Sequence, residues 1–316
     1  MRKVIFFAVL SLLSLSLCGC RTTHENPNVT ESVIRDGEMY TVFENGELKI
    51  TDGETLYVEG KMLCHKGGRI TVEQGGSLMI NGELEIAGEL FLDGFLGISE
   101  NASVYGEGSV SIKSFDDIYC EGSFTAKIIP PKPVITDGVT SVGGVVIVNK
   151  KIPISKEYGR GLDWDVISAL NKMRKESGYE MKLISGFRSY ETQVDVYKNW
   201  CERDGVEAAE TYSSRPGHSE HQTGLTVDIT NTEEEYAYTD EGRWVAANCY
   251  KYGFVIRYPK GKESVTGYTY EPWHLRYLGK STAKLVFDSG LTLEEFLGVE
   301  GGGYYQSSAD FMMGLY

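Results

Sequence analysis

Residues 76–99 read GSLMINGELEIAGELFLDGFLGIS, four hexads that each begin with glycine. The third and fifth positions of every hexad are aliphatic, and the residues between them are mostly polar or small. Such alternation is typical of short strands with one buried face. The inward pairs are Leu78/Ile80, Leu84/Ile86, Leu90/Leu92 and Leu96/Ile98. Because one hexad cannot bury its own face, the pattern predicts stacked rungs of a β-solenoid, with an antiparallel meander as the alternative.

The glycine spacing extends this repeat toward the N-terminus. Gly46, Gly53, Gly60 and Gly67 recur every seven residues before the shorter interval begins at Gly76. Glycine adopts backbone conformations that other residues avoid, so we expect these glycines to form the turns between strands. The sequence therefore predicts an all-β solenoid domain over residues 38–127, whose partner it leaves unknown.

The segments around this domain are of different composition. The run IIPPKP at residues 128–133 restricts the backbone and removes hydrogen-bond donors, so residues 128–137 are predicted to be a linker. Residues 21–37 are polar and unpatterned and are predicted to be a tether. Residues 300–316 form a tail to which the sequence assigns no function, and disorder is one interpretation of it.

The first 20 residues, MRKVIFFAVLSLLSLSLCGC, have the features of an export signal. Two basic residues precede an uncharged stretch that is shorter than the ~20 residues of a membrane-spanning helix. The Leu-Cys-Gly-Cys ending resembles the lipobox of bacterial lipoproteins, so residues 1–20 are predicted to be a lipoprotein signal and Cys20 the lipid anchor. An ordinary cleaved signal peptide is the alternative. Both predict export, and the lipoprotein reading puts the chain on the outer face of the bacterial cytoplasmic membrane or in the cell envelope.

Charge and cysteine content narrow the function further. The formal net charge of −14 argues against nucleic acid as a partner, because phosphate binding requires clustered Lys and Arg. Beyond the signal the cysteines are Cys64, Cys120, Cys201 and Cys249. Four cysteines allow three disulfide connectivities. One pair within each half is the simplest arrangement.

Residues 138–299 alternate helical and strand-like patterns. Residues 163–177 have apolar positions on one helical face and are followed by Gly178, a typical helix stop. In residues 225–229, Leu225, Val227 and Ile229 alternate with polar residues, which predicts a strand that carries Asp228 on the face away from the aliphatic set. We expect an α+β domain with a small sheet flanked by helices.

The histidines of this domain indicate a metal centre. His221 lies seven residues before Asp228, in a loop that Gly224 allows to turn sharply, and His274 follows in the stretch YEPWHLRYLG at residues 270–279. Two imidazoles and one carboxylate leave a coordination position open on Zn²⁺, as in catalytic zinc sites. Glu271 is then predicted to be a general base beside the metal rather than a ligand. His218 is interpreted as a cleft or surface residue.

Four stretches of this domain resemble a known family. SGFRSYETQ (185–193), PGHSEHQTGLTVDI (216–229), YGFVIRYPKGKE (252–263) and GYTYEPWHLRYLG (267–279) are similar to the VanY-type D-alanyl-D-alanine carboxypeptidases, zinc peptidases of the M15 family. The resemblance covers about residues 138–299 and leaves the solenoid outside. Thr226 stands where the family usually has alanine. The resemblance implies Zn²⁺ ligands at His221, Asp228 and His274 and a catalytic carboxylate at Glu271.

The resemblance also implies roles for five further residues. Arg188 matches the family arginine that faces the carbonyl oxygen, and a fixed guanidinium charge suits an oxygen whose negative charge grows in the transition state. The residues that match positions lining the substrate cleft are Ser189, Gln193, Ser219 and Tyr258.

These observations predict an exported zinc carboxypeptidase that removes a C-terminal D-alanine from peptidoglycan stem peptides. Water activated at the metal would attack the amide while Glu271 serves as the base. The residues do not distinguish cleavage of a D,D bond from cleavage of an L,D bond. The alternatives are an endopeptidase of the same fold and a non-catalytic lipoprotein scaffold that binds the cell wall.

Overall fold

A computed structural model describes Val4–Ile5, residues 30–159 and residues 161–307. The predicted lipid anchor Cys20 lies outside the described residues. The chain divides into two compact units, residues 1–131 and 132–316. Their boundary falls within the proline-rich segment. Each unit has its own sheets and its own buried core.

The first unit consists of short strands and one 3-10 helix, Phe115–Asp117. Its strands are β1 (Val4–Ile5), β2 (Thr30–Ile34), β3 (Met39–Val42), β4 (Glu47–Ile50), β5 (Glu54–Val58), β6 (Lys61–Cys64), β7 (Arg69–Val72), β8 (Ser77–Ile80), β9 (Glu83–Ile86), β10 (Glu89–Leu92), β11 (Phe95–Ile98), β12 (Ser103–Tyr105), β13 (Ser109–Ile112), β14 (Ile118–Cys120), β15 (Ser123–Phe124) and β16 (Lys127–Ile129). They form three sheets in the orders β1-β3-β6-β9-β12-β15, β16-β13-β10-β7-β4 and β14-β11-β8-β5-β2. Every pairing in these sheets is parallel.

Successive strands pass from one sheet to the next, so the chain winds as a β-solenoid. Leu84 pairs with Met62 in one neighbouring rung and with Val104 in the other. All three side chains are fully buried, as are the other inward aliphatic residues of the hexads to within 2% exposure. This column of stacked aliphatic side chains confirms the predicted solenoid and excludes the meander.

The hexad glycines lie between the strands, as predicted, and the close approach of neighbouring rungs explains why these positions are glycine. Neither Gly82 nor Gly94 has a left-handed backbone. A Cβ atom on Gly82 would lie 2.1 Å from the carbonyl oxygen of Gly60, and one on Gly94 would lie 2.3 Å from that of Glu73. Glycine is therefore required at these corners because adjacent rungs approach too closely for a side chain.

The regular structure extends beyond the predicted bounds of the solenoid. β2 begins at Thr30, inside the predicted tether, and pairs with β5. Ile34 at its end is buried, which gives this strand an apolar anchor that the polar composition concealed. The predicted linker is also shorter than expected, because β16 ends at Ile129 and a new strand begins at Val134.

The second unit is α+β, as predicted. Its strands are β17 (Val134–Thr136), β18 (Val139–Val142), β19 (Val145–Val146), β20 (Leu183–Ser185), β21 (Thr226–Ile229), β22 (Phe254–Tyr258) and β23 (Glu271–Tyr277), and its helices are α1 (Trp164–Ser177), α2 (Tyr190–Asp204), α3 (Val206–Ala209), α4 (Asp240–Asn248), α5 (Glu263–Thr266), α6 (Lys280–Ser289) and α7 (Leu293–Leu297). Short 3-10 helices cover Glu220–Thr223, Glu234–Tyr238 and Cys249–Tyr252. The sheet orders are β17-β18-β19 and β20-β21-β23-β22, all antiparallel.

Helix α1 packs its apolar face against the four-stranded sheet. Asp163 caps its first turn by accepting a hydrogen bond from Asp165 N, and Gly178 ends it in the left-handed conformation. The apolar residues of α1 join Val227 and Ile229 of β21 in one buried cluster. With this side of β21 fixed in the core, Asp228 must project from its opposite side.

The cysteines and the C-terminal tail differ from what the sequence predicts. Among the described residues, Cys64, Cys120, Cys201 and Cys249 are buried and form no disulfide bonds with one another, so the expected disulfide pairs are wrong. Part of the tail, through residue 307, belongs to the described structure and contacts the second unit. Among the described residues, no helix is long and apolar enough to cross a membrane.

Candidate metal centre

The three predicted metal ligands lie together at the end of the four-stranded sheet. Asp228 on β21 and His274 on β23 are direct cross-strand partners. His221 comes from the 3-10 helix that precedes β21, and Gly224 ends that helix with φ of 73°. One donor atom from each residue lies within 4.8 Å of the others, and all three side chains are buried. This separation suits coordination of one ion.

The protonation pattern of His221 leaves a lone pair for a cation. Its Nδ1 lies 2.7 Å from the carbonyl oxygen of Gly186, which can only accept, so Nδ1 carries the proton. In the neutral ring, Nε2 is then unprotonated, and it faces Asp228 Oδ2 at 3.2 Å. Two acceptors at this distance repel unless a positive charge lies between them. The donor arrangement therefore fits a metal ion.

His274 is oriented in the opposite sense, with Nδ1 toward the other donors. Nδ1 lies 3.1 Å from Asp228 Oδ1, and Nε2 lies 3.6 Å from Glu220 Oε2. Neither Asp228 Oδ1 nor His274 Nε2 has a hydrogen-bond partner among the described residues, although both are buried. Buried polar atoms without partners are costly, and a bound ion would satisfy the carboxylate oxygen.

The electrostatics of the cluster favour positive charge at its centre. Burial opposes ionisation of Asp228, but His221 and His274 hold its pKa well below the usual range. Burial also lowers the pKa of His274, yet the nearby carboxylates of Asp228 and Glu220 outweigh it and raise the pKa to about 9. These carboxylates would thus attract a proton or a cation to the donor atoms.

Glu271 lies beside the donors without belonging to the group of three. Its Oε2 is 3.4 Å from His274 Nδ1, and only 6% of the residue is exposed. Burial, with Asp228 and Glu220 nearby, raises its pKa to about 8 against the opposing effects of His274 and Arg188. A carboxyl group tuned toward neutral pH is suited to take up and return a proton.

Arg188 faces the same site from the loop between β20 and α2. Burial lowers the pKa of Arg188, whereas the charges of Asp228 and Glu271 raise it. The guanidinium group therefore interacts electrostatically with both carboxylates of the site. Two hydrogen bonds hold the guanidinium group: one to Gln193 Oε1 at 2.7 Å and one to Ser185 Oγ at 3.1 Å. The arginine is thereby oriented in advance, as stabilisation of a developing negative charge requires.

The four predicted cleft residues have more varied environments. Tyr258 is buried, with its ring centroid 4.8 Å from that of His274. Gln193 is fully buried and uses its amide to hold Arg188 and the carbonyl oxygen of Ser214, so it supports the site from behind. The Ser189 hydroxyl caps α2 by accepting from Thr192 N. Ser219 is buried at the start of the 3-10 helix, and no role in binding is evident for it.

A buried charge network lies behind His274. Glu220 Oε1 accepts hydrogen bonds from Arg257 Nε at 2.7 Å and from a terminal nitrogen of Arg276 at 2.8 Å. Arg257 also forms a two-bond pair with Glu294, and all four side chains are at most 1% exposed. Burial would raise the pKa of Glu220, but Arg257 and Arg276 keep it well below its usual range. This carboxylate therefore remains ionised behind His274, with Oε2 at 3.6 Å from Nε2 of that ring.

The sequence offered one signal of this network. Arg257 and Arg276 occupy strands whose neighbouring residues are otherwise apolar. An arginine in a buried strand requires a carboxylate partner.

A buried two-histidine, one-aspartate donor set with an adjacent carboxyl group and a guanidinium group is typical of metal-dependent hydrolases. Comparison with known proteins gives the family. The model of the VanY family, D-alanyl-D-alanine carboxypeptidase, matches residues 161–280, which include all five of these residues. The chain belongs to the VanY family.

Individual relatives agree with this assignment. The protein YodJ of Bacillus subtilis (strain 168) is 45% identical over 149 residues, which cover 45% of this chain and 55% of YodJ. The bifunctional D-Ala-D-Ala dipeptidase and carboxypeptidase VanXYC of Enterococcus gallinarum is 30% identical over 173 residues, 48% of this chain and 91% of that protein. The crystal structure of the L,D-carboxypeptidase DacB of Streptococcus pneumoniae is 41% identical, with a TM-score of 0.50, covering 55% of this chain and 99% of DacB.

Proposed function

We propose that the second unit is a zinc carboxypeptidase that removes a C-terminal D-alanine from peptidoglycan stem peptides. The observation that carries the proposal is the convergence of His221, Asp228 and His274 beside Glu271 and Arg188. Membership of the VanY family supports this substrate class. The relatives include both a D-Ala-D-Ala carboxypeptidase and an L,D-carboxypeptidase, so the proposal covers both bonds.

The ion would be held by His221 Nε2, Asp228 and His274 Nδ1. The unpartnered Asp228 Oδ1 and the lone pair on His221 support this assignment. When bound, Zn²⁺ supplies Lewis acidity and lowers the pKa of water. Glu220 keeps the His274 ring oriented through its contact with Nε2.

The remaining steps belong to the side chains around the donors. Glu271 accepts the proton of the attacking water and later delivers a proton to the leaving amine, which its burial and raised pKa favour. Arg188 faces the carbonyl oxygen as negative charge develops there. Its guanidinium group is held by Gln193 and Ser185, so little reorganisation is needed during the reaction.

The test is release of D-alanine by the purified full-length chain. Stem pentapeptide, stem tetrapeptide and a C-terminally amidated pentapeptide are each incubated with the enzyme, and the products are identified by mass spectrometry. We expect free D-alanine from at least one of the first two peptides and almost none from the amide, which lacks a terminal carboxylate. Comparable cleavage of the amidated peptide would favour an endopeptidase. No cleavage of any peptide would favour a non-catalytic scaffold.

Metal content is measured on the same preparations by elemental analysis. We expect about one Zn²⁺ per chain, with loss of the metal in His221→Ala because one of three donors is removed. The matched control is His218→Ala, since His218 Nδ1 contacts the carbonyl oxygen of Asn149 and the residue is not part of the donor group. A full complement of metal in His221→Ala would contradict the assigned donor set.

We further propose that the chain is exported and anchored through lipid on Cys20. The features that support this are the basic start, the uncharged stretch and the Leu-Cys-Gly-Cys ending. Mass spectrometry of the protein from membranes should find diacylated Cys20 at the mature N-terminus, and Cys20→Ala should release the protein from the membrane fraction. An unmodified N-terminus at another residue would indicate ordinary signal cleavage.

A further inference from the structure

Residues 300–306, which follow α7, lie against the second unit and are here named the C-terminal strap. The side-chain amide of Asn149 donates to the carbonyl oxygen of Glu300 at 3.0 Å. A terminal nitrogen of Arg215 donates to the carbonyl oxygen of Gln306 at 2.9 Å. The strap is therefore fastened near both of its ends. Neither composition nor motif assigns a function to it.

Tyr304 is the strap side chain that contacts Arg215 and His218. The Arg215 guanidinium carbon lies 3.8 Å from the centroid of its ring, and the His218 ring meets it edge-on at 5.1 Å between centroids. Lys150 Nζ lies 5.4 Å from the same ring. These contacts seat Tyr304 against the segment that leads into the donor His221.

The Tyr304 hydroxyl oxygen makes one specific contact with the backbone of that segment. It accepts a hydrogen bond from Arg215 N at 2.9 Å. The carbonyl of the same peptide group, Ser214 O, accepts from Gln193 Nε2 at 2.6 Å. A single peptide group is thus held from one side by the strap and from the other by Gln193.

Gln193 connects this peptide group to the proposed catalytic arginine. Because its Nε2 donates to Ser214 O, its Oε1 is directed toward Arg188 and accepts from that guanidinium group at 2.7 Å. Gln193 is fully buried, so water cannot substitute for either bond. A shift of the Ser214–Arg215 peptide would rotate the amide and move the Arg188 head.

We propose that Tyr304 is a positioning residue that fixes Arg188 through the Ser214–Arg215 peptide group and Gln193. The inference rests on the proposed function, because Arg188 matters only if a carbonyl oxygen or carboxylate is bound at the metal centre. Tyr304 touches neither the donors nor Arg188 directly; its effect is transmitted by three consecutive hydrogen bonds.

The kinetic test compares Tyr304→Phe with Tyr305→Phe in the full-length protein. The first variant removes the hydroxyl that accepts from Arg215 N and that also hydrogen-bonds with Tyr268. The second removes a hydroxyl from the neighbouring strap residue, which is 74% exposed. That hydroxyl donates to Glu300 Oε2, and the contact of the Tyr305 ring with Lys151 is retained in the variant. We expect Tyr304→Phe to lower kcat by about 3- to 10-fold with little change in KM, since Arg188 acts on transition-state charge, and Tyr305→Phe to match the wild type.

Coupling to Arg188 separates positioning from a general structural defect. In an Arg188→Lys background, Tyr304→Phe should cause almost no further loss, because the group that it positions is already gone. Metal content should stay at the wild-type value in Tyr304→Phe, and the thermal midpoint should fall only slightly, because one hydrogen bond is lost. The proposal is wrong if the losses in kcat from Tyr304→Phe and Arg188→Lys multiply in the double variant, as independent effects would. It is also wrong if Tyr304→Phe loses its metal.

An NMR measurement tests the relay without relying on hydrolysis. The Arg188 Nε–Hε cross-peak, identified by its absence in Arg188→Lys, should shift or broaden in Tyr304→Phe and stay unchanged in Tyr305→Phe. If the wild type releases no D-alanine but this peak responds, the proposed function fails and the relay stands. An unresponsive peak in an active wild-type background means that Tyr304 does not position Arg188.

Discussion

The two units bury different kinds of side chain. In the solenoid the interior is a column of aliphatic residues, and its ion pairs lie on the surface, as in Arg69–Glu89, where each side chain is half exposed. In the second unit, Arg257 and Glu220 pair in the interior, and neither side chain has any exposed surface. The solenoid therefore keeps its ion pairs where water solvates them, whereas the second unit also buries ion pairs that only other protein groups can solvate.

This difference follows from what each interior must do. An aliphatic column is stabilised by burial of apolar surface, and every rung contributes the same kind of inward aliphatic side chain. A metal centre requires ionised carboxylates and oriented imidazoles, whose buried charges must be compensated by further charges behind them. Glu220 takes part in both, since it compensates the charges of Arg257 and Arg276 and also lies next to His274.

The largest predicted effect is a loss of the hydrolytic activity proposed for the second unit. Glu271→Gln keeps the size of the side chain and removes its ability to accept a proton. We expect release of D-alanine to fall by about 10²–10⁴-fold, the usual contribution of a general base, while the metal is retained. The measurements are steady-state turnover of a stem peptide and elemental analysis of the same sample.

The matched control is Glu83→Gln on the solenoid, where the carboxylate is about half exposed and pairs with Lys61. This variant should hydrolyse the stem peptide at the wild-type rate. If Glu271→Gln loses its metal, Glu271 is a ligand and the separation between donors and base is wrong.

The second prediction tests the buried charge network itself. Glu220→Gln leaves Arg276 without its carboxylate and Arg257 with only Glu294. Removing one partner from a buried pair typically costs about 3–5 kcal/mol of unfolding free energy. All four tryptophans of the chain lie in residues 164–273, so urea unfolding followed by tryptophan fluorescence reports this unit alone.

A Zn²⁺ affinity measurement and an exposed-pair control accompany the unfolding of Glu220→Gln. Zn²⁺ affinity in Glu220→Gln should fall by about 10–100-fold, because the contact that orients His274 is weakened. Glu234→Gln, which alters a pair with Lys260 that is more than half exposed, should change stability by less than about 1 kcal/mol. Equal stability of the two variants would mean that burial does not set the value of these charges.

The sequence predicts the two units unequally well, and the reason is physical. The hexad pattern specifies both strand spacing and the inward face, so the solenoid core could be predicted residue by residue, whereas the low apolar content of β2 concealed the first rung. The convergence of His221, Asp228 and His274 was predictable because metal coordination restricts residue type and spacing.

The support of the site was less predictable. Glu294 is 74 residues from Glu220 along the chain, and no local pattern indicates that Arg257 contacts both. Tyr304 lies in a glycine-rich tail whose composition favours disorder. Its position depends on Arg215 and His218, which a sequence pattern does not connect to it.

The smallest effect is expected for the surface charges of the solenoid. Glu89→Gln breaks the 3.0 Å pair with Arg69 on the outer face of β10. Both side chains are half exposed and solvent screens their attraction, so we expect a change of at most about 0.5 kcal/mol in unfolding free energy. The matched variant is Leu90→Ala, one residue away on the inward face, where the side chain is fully buried and truncation should cost about 2–5 kcal/mol. Far-UV circular dichroism reports the unfolding of both units, so a change in its urea transition with an unchanged tryptophan-fluorescence midpoint is assigned to the solenoid; we expect that fluorescence midpoint to be unchanged in both variants. A loss from Glu89→Gln as large as that from Leu90→Ala would show that cross-rung ion pairs, and not the aliphatic column, hold the solenoid together.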